Sequence, residues 1–271
     1  MTEEPDVTQA AAAAFRALQA RARAEHAGNT QPLLVVYAVE SFLRRLALSD
    51  YAGQMMLKGG MLMAATGIRT MTKDADLATR GLPNDELHVR AVVREICALT
   101  PDPHDGVHVD PATVRAETTR DDADYSGVRC KLVAALGRAR VPFALDFSFG
   151  DPGAATVIKL ESVIDQPTIS LLAYPLALNL AEKIVTAMQR RATNTRDRDF
   201  ADLWVTSRRH RLDAHELKRS IEAMVDRMSY LATPPATWIE LVDGVITFVD
   251  PLLRDAGERF SAWDPEQLRW Q

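Results

Sequence analysis

The run Leu57-Lys58-Gly59-Gly60-Met61-Leu62, followed by Arg69-Thr70-Met71-Thr72-Lys73-Asp74-Ala75-Asp76-Leu77, constrains this chain more than any other stretch. It predicts a strand, a tight glycine turn, a helix, a polar loop and a second strand. A strand projects alternate side chains to one face. Asp74 and Asp76 therefore share a face, with Cα atoms about 6.5–7 Å apart, and Ala75 and Leu77 enter a core. Two carboxylates at that spacing suit hard divalent cations, and Mg²⁺ favours one or two carboxylates together with substrate phosphates. Two glycines ahead of a helix let backbone N–H groups approach a phosphate, aided by the positive end of the helix dipole. A metal pair so close to a phosphate cradle points to phosphoryl or nucleotidyl transfer.

Composition bounds the rest. A hydrophobic fraction of 47% and a charged fraction of 25% fit a folded chain with a sizeable core. No apolar run approaches the roughly 18–20 residues of a membrane span. The N-terminus carries Glu3, Glu4 and Asp6 and lacks an apolar signal core, so a cytoplasmic location is expected. Cys97 and Cys130 form no C-x-x-C pattern and read as reduced, buried thiols. A net charge of −5 excludes a chain-wide basic field for nucleic acid. A local basic set remains at Arg190, Arg191, Arg196, Arg208, Arg209 and Arg211, which suits RNA phosphates or the solvated ends of helices equally well.

Taken in order, helical propensity and spacing predict helices over 8–27 and 32–48. A short buried strand at 55–57 and a helix from Gly60 to Ala65 follow. After the Asp-x-Asp strand come a helix over 84–99 and an exposed loop at 101–106. Strands are expected near 107–118, 127–136, 140–149, 156–160 and 168–172. From Pro175 the pattern turns helical: about 175–191, 197–208, 213–229, 235–249 and a short C-terminal piece. His104 and His108 lie in a stretch broken by Pro103 and Gly106, which suits a solvated loop better than a metal site.

Two further side chains stand out. Over 141–149, Val141, Phe143, Leu145, Phe147 and Phe149 alternate with Ala144, Asp146 and Ser148, so Asp146 faces away from a core-bound row. It is a site carboxylate or an ordinary outward-facing strand residue. Lys183 shares a helix face with Leu176, Leu180 and Ala187. It either snorkels to the edge or meets a polyphosphate as a point charge. Asp199 and Asp202 lie one turn apart on the next helix, where acidic residues also offset the macrodipole.

Lys58-Gly59-Gly60 followed by Arg69-x-x-Thr72-x-Asp74-x-Asp76 resembles the first motif of the AbiEii/AbiGii nucleotidyltransferases. These are toxins of bacterial toxin–antitoxin and abortive-infection systems, related to the MenT toxins of mycobacteria, within the polymerase-β-like superfamily. The resemblance continues through Asp146, Lys183 and Arg198-Asp199-x-x-Asp202-Leu203, over about residues 55–205. It implies an α/β (α+β) fold: a polymerase-β-like lobe with a mixed sheet over 1–173, and a helical lobe over 174–271. It implies Asp74, Asp76 and Asp146 as ligands of two Mg²⁺ ions, and Asp146 as the group that deprotonates the acceptor. Lys58, Gly59, Gly60, Arg69, Thr72 and Lys183 would bind the NTP. Asp199, preferred over Asp202, would orient Lys183. The acceptor in such relatives is the 3′ end of tRNA, and a cognate antitoxin is the implied partner. A small-molecule nucleotidyltransferase of the antibiotic-modifying kind, or a non-catalytic RNA- or partner-binding protein of the same fold, are the alternatives.

Overall fold

A computed structural model describes residues 4–68, 72–120, 126–150, 153–190, 197–226, 263–264 and 269–270. The chain divides into two units, Met1–Asn179 with Trp204–Arg211, and Leu180–Leu203 with Leu212–Gln271.

The first unit is built on an eight-stranded mixed sheet. Its strands are β1 (Met55–Lys58), β2 (Asp74–Thr79), β3 (Val107–Val109), β4 (Arg115–Arg120), β5 (Ser126–Leu136), β6 (Ala139–Phe149), β7 (Thr156–Leu160) and β8 (Ile169–Ala173). The order is β3-β5-β6-β2-β1-β8-β7, with β4 also paired to β5. β2 lies between an antiparallel β1 and a parallel β6. The helices are α1 (Glu4–Glu25), α2 (Gln31–Leu48), α3 (Gly59–Ala65) and α4 (Glu86–Cys97). The mixed α/β architecture is the one expected. One expected strand, 107–118, is instead two strands on the same edge of β5. Pro111 has no N–H to give to a ladder, and Asp110 accepts from the Ala112 N–H to cap a 3₁₀ turn at Pro111–Thr113.

The core follows from period-two burial in strands and an apolar face on α2. In β6, Val141, Phe143, Leu145 and Phe147 are buried and Asp146 is half-buried. Leu33, Val39, Phe42, Leu43 and Leu46 of α2 are buried, and the helix packs on β6 and β8. Asp105, expected in an exposed loop, is wholly buried. Its carboxylate takes Arg45 Nη1 at 2.7 Å, Ser41 Oγ at 2.7 Å and the Val107 N–H at 3.0 Å. Gly106 beside it has φ +75°, and a Cβ there would stand 2.4 Å from the Ala11 nitrogen, so α1 packs against bare backbone. Cys97 and Cys130 are buried free thiols, both pushed up to about 12 by burial.

The second unit opens with α5 (Leu176–Arg190), whose first turn belongs to the first unit. It continues with α6 (Asp197–Arg209), which returns to the first unit at Trp204, and α7 (Ala214–Asp226). Ala181 and Val185 of α5 pack with Ile221 of α7, flanked by Ile184, Leu217 and Met224. The helix expected over 235–249 lies outside the described residues. The C-terminal piece, expected to be helical, contains a two-stranded pair instead, β9 (Trp263–Asp264) with β10 (Arg269–Trp270). Tryptophan favours a strand surface, which explains part of the difference. No helix among the described residues is long and apolar enough to cross a membrane.

Glu40 on α2 is buried and accepts from Ser162 Oγ at 2.7 Å and from the Val163 N–H at 3.0 Å. Burial nonetheless pushes its carboxyl up to about 7, above the ordinary 4.5. A carboxyl raised in the folded state contributes its full stability below pH 4.5 and loses it as pH rises through about 7. Glu40→Gln is therefore expected to flatten the fall in unfolding free energy between pH 4.5 and 7, measured by urea denaturation across that window.

Candidate active site

Register, more than proximity in sequence, assembles the site. Lys58 of β1 pairs with Asp76 of β2, Asp76 pairs with Asp146 of β6, and Asp146 pairs with Arg129 of β5. Side chains at directly paired positions share a face. The four form a row across the sheet with charges plus, minus, minus, plus. Asp74, two residues before Asp76, shares that face, and both aspartates are half-buried while Ala75 and Leu77 are buried behind them.

Each charge in the row has a particular setting. Arg129 Nε donates to Asp146 Oδ1 at 2.8 Å and its Nη2 to Oδ2 at 2.7 Å, a two-pronged bond that fixes both groups. The hydrogen bond to Asp146 raises the Arg129 guanidinium above its ordinary pKa, and the charges of Asp146, Asp74 and Asp76 act in the same direction. Lys58 Nζ sits 5.5 Å from the centre of the Tyr174 ring. The Gly60 N–H donates to Asp76 Oδ2 at 3.3 Å, and the Gly59 N–H donates to Asn179 Oδ1 at 2.8 Å. Both N–H groups considered for a phosphate thus have partners within the chain. Gly59 has φ +61°, and a Cβ there would fall 2.0 Å from Asp76 Oδ2. The glycine is needed because the backbone passes directly over this carboxylate.

Asp74 and Asp76 offer hard oxygen donors of the kind a divalent cation takes, so the donor chemistry fits one. Among the described residues, no three His, Cys, Asp or Glu side chains gather closely enough to hold a metal ion by themselves. Further oxygens from a nucleotide or water would complete the shell.

Thr72 Oγ1 donates to the Asp74 carbonyl at 3.4 Å, closing the loop that enters β2. Arg69 lies outside the described residues, as do Arg191 and Arg196. Arg190 ends α5. Arg208, Arg209 and Arg211 are exposed. Arg208 lies over the Trp204 ring at 4.0 Å, and Arg209 donates to the Gly67 carbonyl at 3.0 Å.

The second unit holds Lys183. It is buried, with Nζ 2.6 Å from Asp199 Oδ1 and 2.9 Å from Asp202 Oδ2. The lysine engages both carboxylates, so a choice between them does not arise from the geometry. Their spacing of three on α6 turns both toward α5.

Arg129 escaped the sequence reading. Val128, Cys130 and Leu132 are buried, and Arg129 alternates with them. That parity was a usable signal, but the pairing with Asp146 depends on a long-range register.

A nucleotidyltransferase site is the class that this acidic strand face and glycine turn describe, and comparison with known proteins agrees. The family model described as nucleotidyl transferase AbiEii toxin, type IV TA system, matches residues 41–256. The chain belongs to that family. Among solved structures, JHP933 from Helicobacter pylori shares 14% identity, with 81% of this chain and 77% of that one covered, at a TM-score of 0.43. The antibiotic-resistance factor ANT(2'')-Ia shares 16%, with 72% and 95% covered, at 0.38. An antigenic nucleotidyltransferase-like protein from Paracoccidioides brasiliensis shares 14%, with 75% and 91% covered, at 0.38. No curated protein matches the chain in sequence.

Removing one partner of a buried ion cluster leaves uncompensated charge and costs about 3–5 kcal/mol. Lys183→Met is expected to lose stability on that scale in urea unfolding, and adding Asp199→Asn with Asp202→Asn should recover most of the loss. Gly59→Ala should displace the Asp76 carboxylate and weaken Mn²⁺ binding at least tenfold by calorimetry, the equivalent of about 1.4 kcal/mol.

Proposed function

We propose that this chain transfers a nucleoside monophosphate from an NTP to an RNA acceptor, the 3′ end of tRNA, in a cytoplasm where a cognate antitoxin restrains it. The observation that carries the reading is the in-register row Lys58–Asp76–Asp146–Arg129 with Asp74 beside it. The family match supports the nucleotidyl-transfer class, and the acceptor comes from the resemblance of the motifs.

In the proposed reaction, the acceptor hydroxyl oxygen bonds to the α-phosphorus. The bond from that phosphorus to the bridging oxygen breaks and pyrophosphate leaves. Asp74 and Asp76 would hold Mg²⁺, which when bound supplies positive charge to the phosphate oxygens. Asp146 is assigned to take the acceptor proton; each of its oxygens keeps a second lone pair beyond the Arg129 bond. Lys183 is assigned to the triphosphate, with Asp199 and Asp202 fixing its ammonium. Lys58, Thr72 and Arg69 are assigned to nucleotide binding. Phosphate contact at Gly59 and Gly60 would replace the Asn179 and Asp76 oxygens now bonded there. Arg190, Arg191, Arg196, Arg208, Arg209 and Arg211 are assigned to RNA phosphates. The division into a nucleotidyltransferase domain over 1–173 and a helical domain over 174–271 belongs to this reading.

Incubation with tRNA, Mg²⁺ and each labelled NTP in turn should label the tRNA 3′ end. Asp74→Asn with Asp76→Asn should reduce the rate at least a thousandfold, a loss of about 4 kcal/mol of transition-state stabilisation. Label on a small-molecule panel but not on tRNA would overturn the acceptor, and full activity in the double variant would overturn the site.

A further inference from the structure

We infer that Arg129 is a substrate-binding residue: one edge of its guanidinium holds Asp146, and the other edge takes a phosphate group of a substrate. The inference rests on the proposed nucleotidyl transfer and adds a residue to it.

A guanidinium carries up to five N–H donors in one plane, and the contact with Asp146 uses two of them, from Nε at 2.8 Å and Nη2 at 2.7 Å. Five less two leaves three, two on Nη1 and one on Nη2. These lie along the end of the fork, an edge that matches the paired oxygens of a phosphate. Among the described residues, no hydrogen bond joins that edge to another group. A carboxylate stands close enough to make the point informative. Glu117 of β4 lies directly opposite Arg129 in the β4–β5 ladder. Its Oε1 goes instead to Lys131 Nζ, at 2.6 Å. The outer edge is not sealed in either, because the Arg129 side chain keeps 37% of its surface exposed. The contact also leaves Asp146 its own task, since each of its oxygens retains a second lone pair. Register and the inner fork together fix the guanidinium before a ligand arrives, so little ordering remains to be done on binding. Charge explains why the site needs such a group. Asp74, Asp76 and Asp146 repel any phosphate that approaches their face, and a guanidinium between Asp146 and that phosphate serves both anions at once. An ammonium is a point charge and offers no second edge. Both proposed substrates carry the required chemistry, the NTP in its triphosphate and the acceptor RNA in its last phosphodiester.

The test measures two affinities of the full-length chain by calorimetry, without divalent ions, so that metal ligation does not enter. The probes are a non-hydrolysable NTP analogue and an RNA that ends in a 3′-deoxynucleotide and cannot be extended. Arg129→Gln should weaken one of them at least tenfold, the equivalent of about 1.4 kcal/mol. Asp146→Asn should leave that affinity unchanged or tighten it, because it removes a negative charge and not the phosphate's partner. Arg129→Lys should show most of the same loss, and it decides the matter if Arg129→Gln does not fold. A loss confined to the RNA should also reduce the slope of log affinity against log salt by about 0.7, the share of one phosphate on a single strand. A loss confined to the NTP analogue should be absent with the bare nucleoside. Both affinities unchanged in the Arg129 variants would overturn the inference and leave the outer edge merely solvated. An equal loss in Asp146→Asn would also overturn it, since Arg129 would then act only through the carboxylate. The underlying reading fails separately, if the wild type binds these phosphates but transfers no label to any RNA.

Discussion

The pairing of Asp76 with Asp146 across the β2–β6 ladder is the constraint on which the rest of the site depends. Neighbouring strands lie about 4.8 Å apart, so the fold forces two like charges together on one face. At that separation the repulsion is on the order of 3 kcal/mol at an effective dielectric of about 20. The sheet answers with a cation at each end of the row, Lys58 on β1 and Arg129 on β5. The acidic face is thus tolerable before any metal arrives and remains attractive to one, since Asp74 adds a third negative charge.

Polar clusters elsewhere follow a different logic. Asp105 is sealed beneath α2, where Arg45, Ser41 and a backbone N–H leave it fully bonded. Its Arg45 partner also reaches the Val107 carbonyl at 2.7 Å, so the pair ties the helix to the start of β3. In the second unit, one lysine stands between two aspartates that belong to the same helix. Buried ion clusters add little net stability over apolar packing but are costly to break. They hold a given arrangement by making the alternatives expensive.

Much of the first unit was legible because period-two alternation is a local signal. The parity of Asp74, Asp76 and Asp146 could be read residue by residue, and α2 announced itself by its apolar spacing. Register is not local. Nothing within 126–136 says which residue of β6 lies opposite Arg129, so the guanidinium on the third carboxylate could not be found by pattern alone. The burial of Asp105 is hidden from the sequence for a related reason. Pro103, His104 and Gly106 mark a loop correctly, but loops are exposed only where no helix closes over them, and α1 and α2 close over this one. The divided strand at 107–120 turned on Pro111, whose missing N–H outweighed the β-propensity around it. At Lys183 the apolar stripe was visible, and its two partners were visible as a spacing of three, but only packing brings α5 and α6 together.

β2 pairs with β6 along its whole length and with β1 from Asp76 to Thr79. Amides in such an interior ribbon exchange only when the surrounding sheet opens, at a free energy near that of global unfolding. Asp76 therefore rides on the slowest-breathing part of the molecule, and Asp74 is tied to it from the β6 side. Their mutual spacing is inherited from the backbone repeat and is not retuned by drift at the rim. Loops and helix ends can diverge to meet a new acceptor while the pair of carboxylates stays where the pleat puts it.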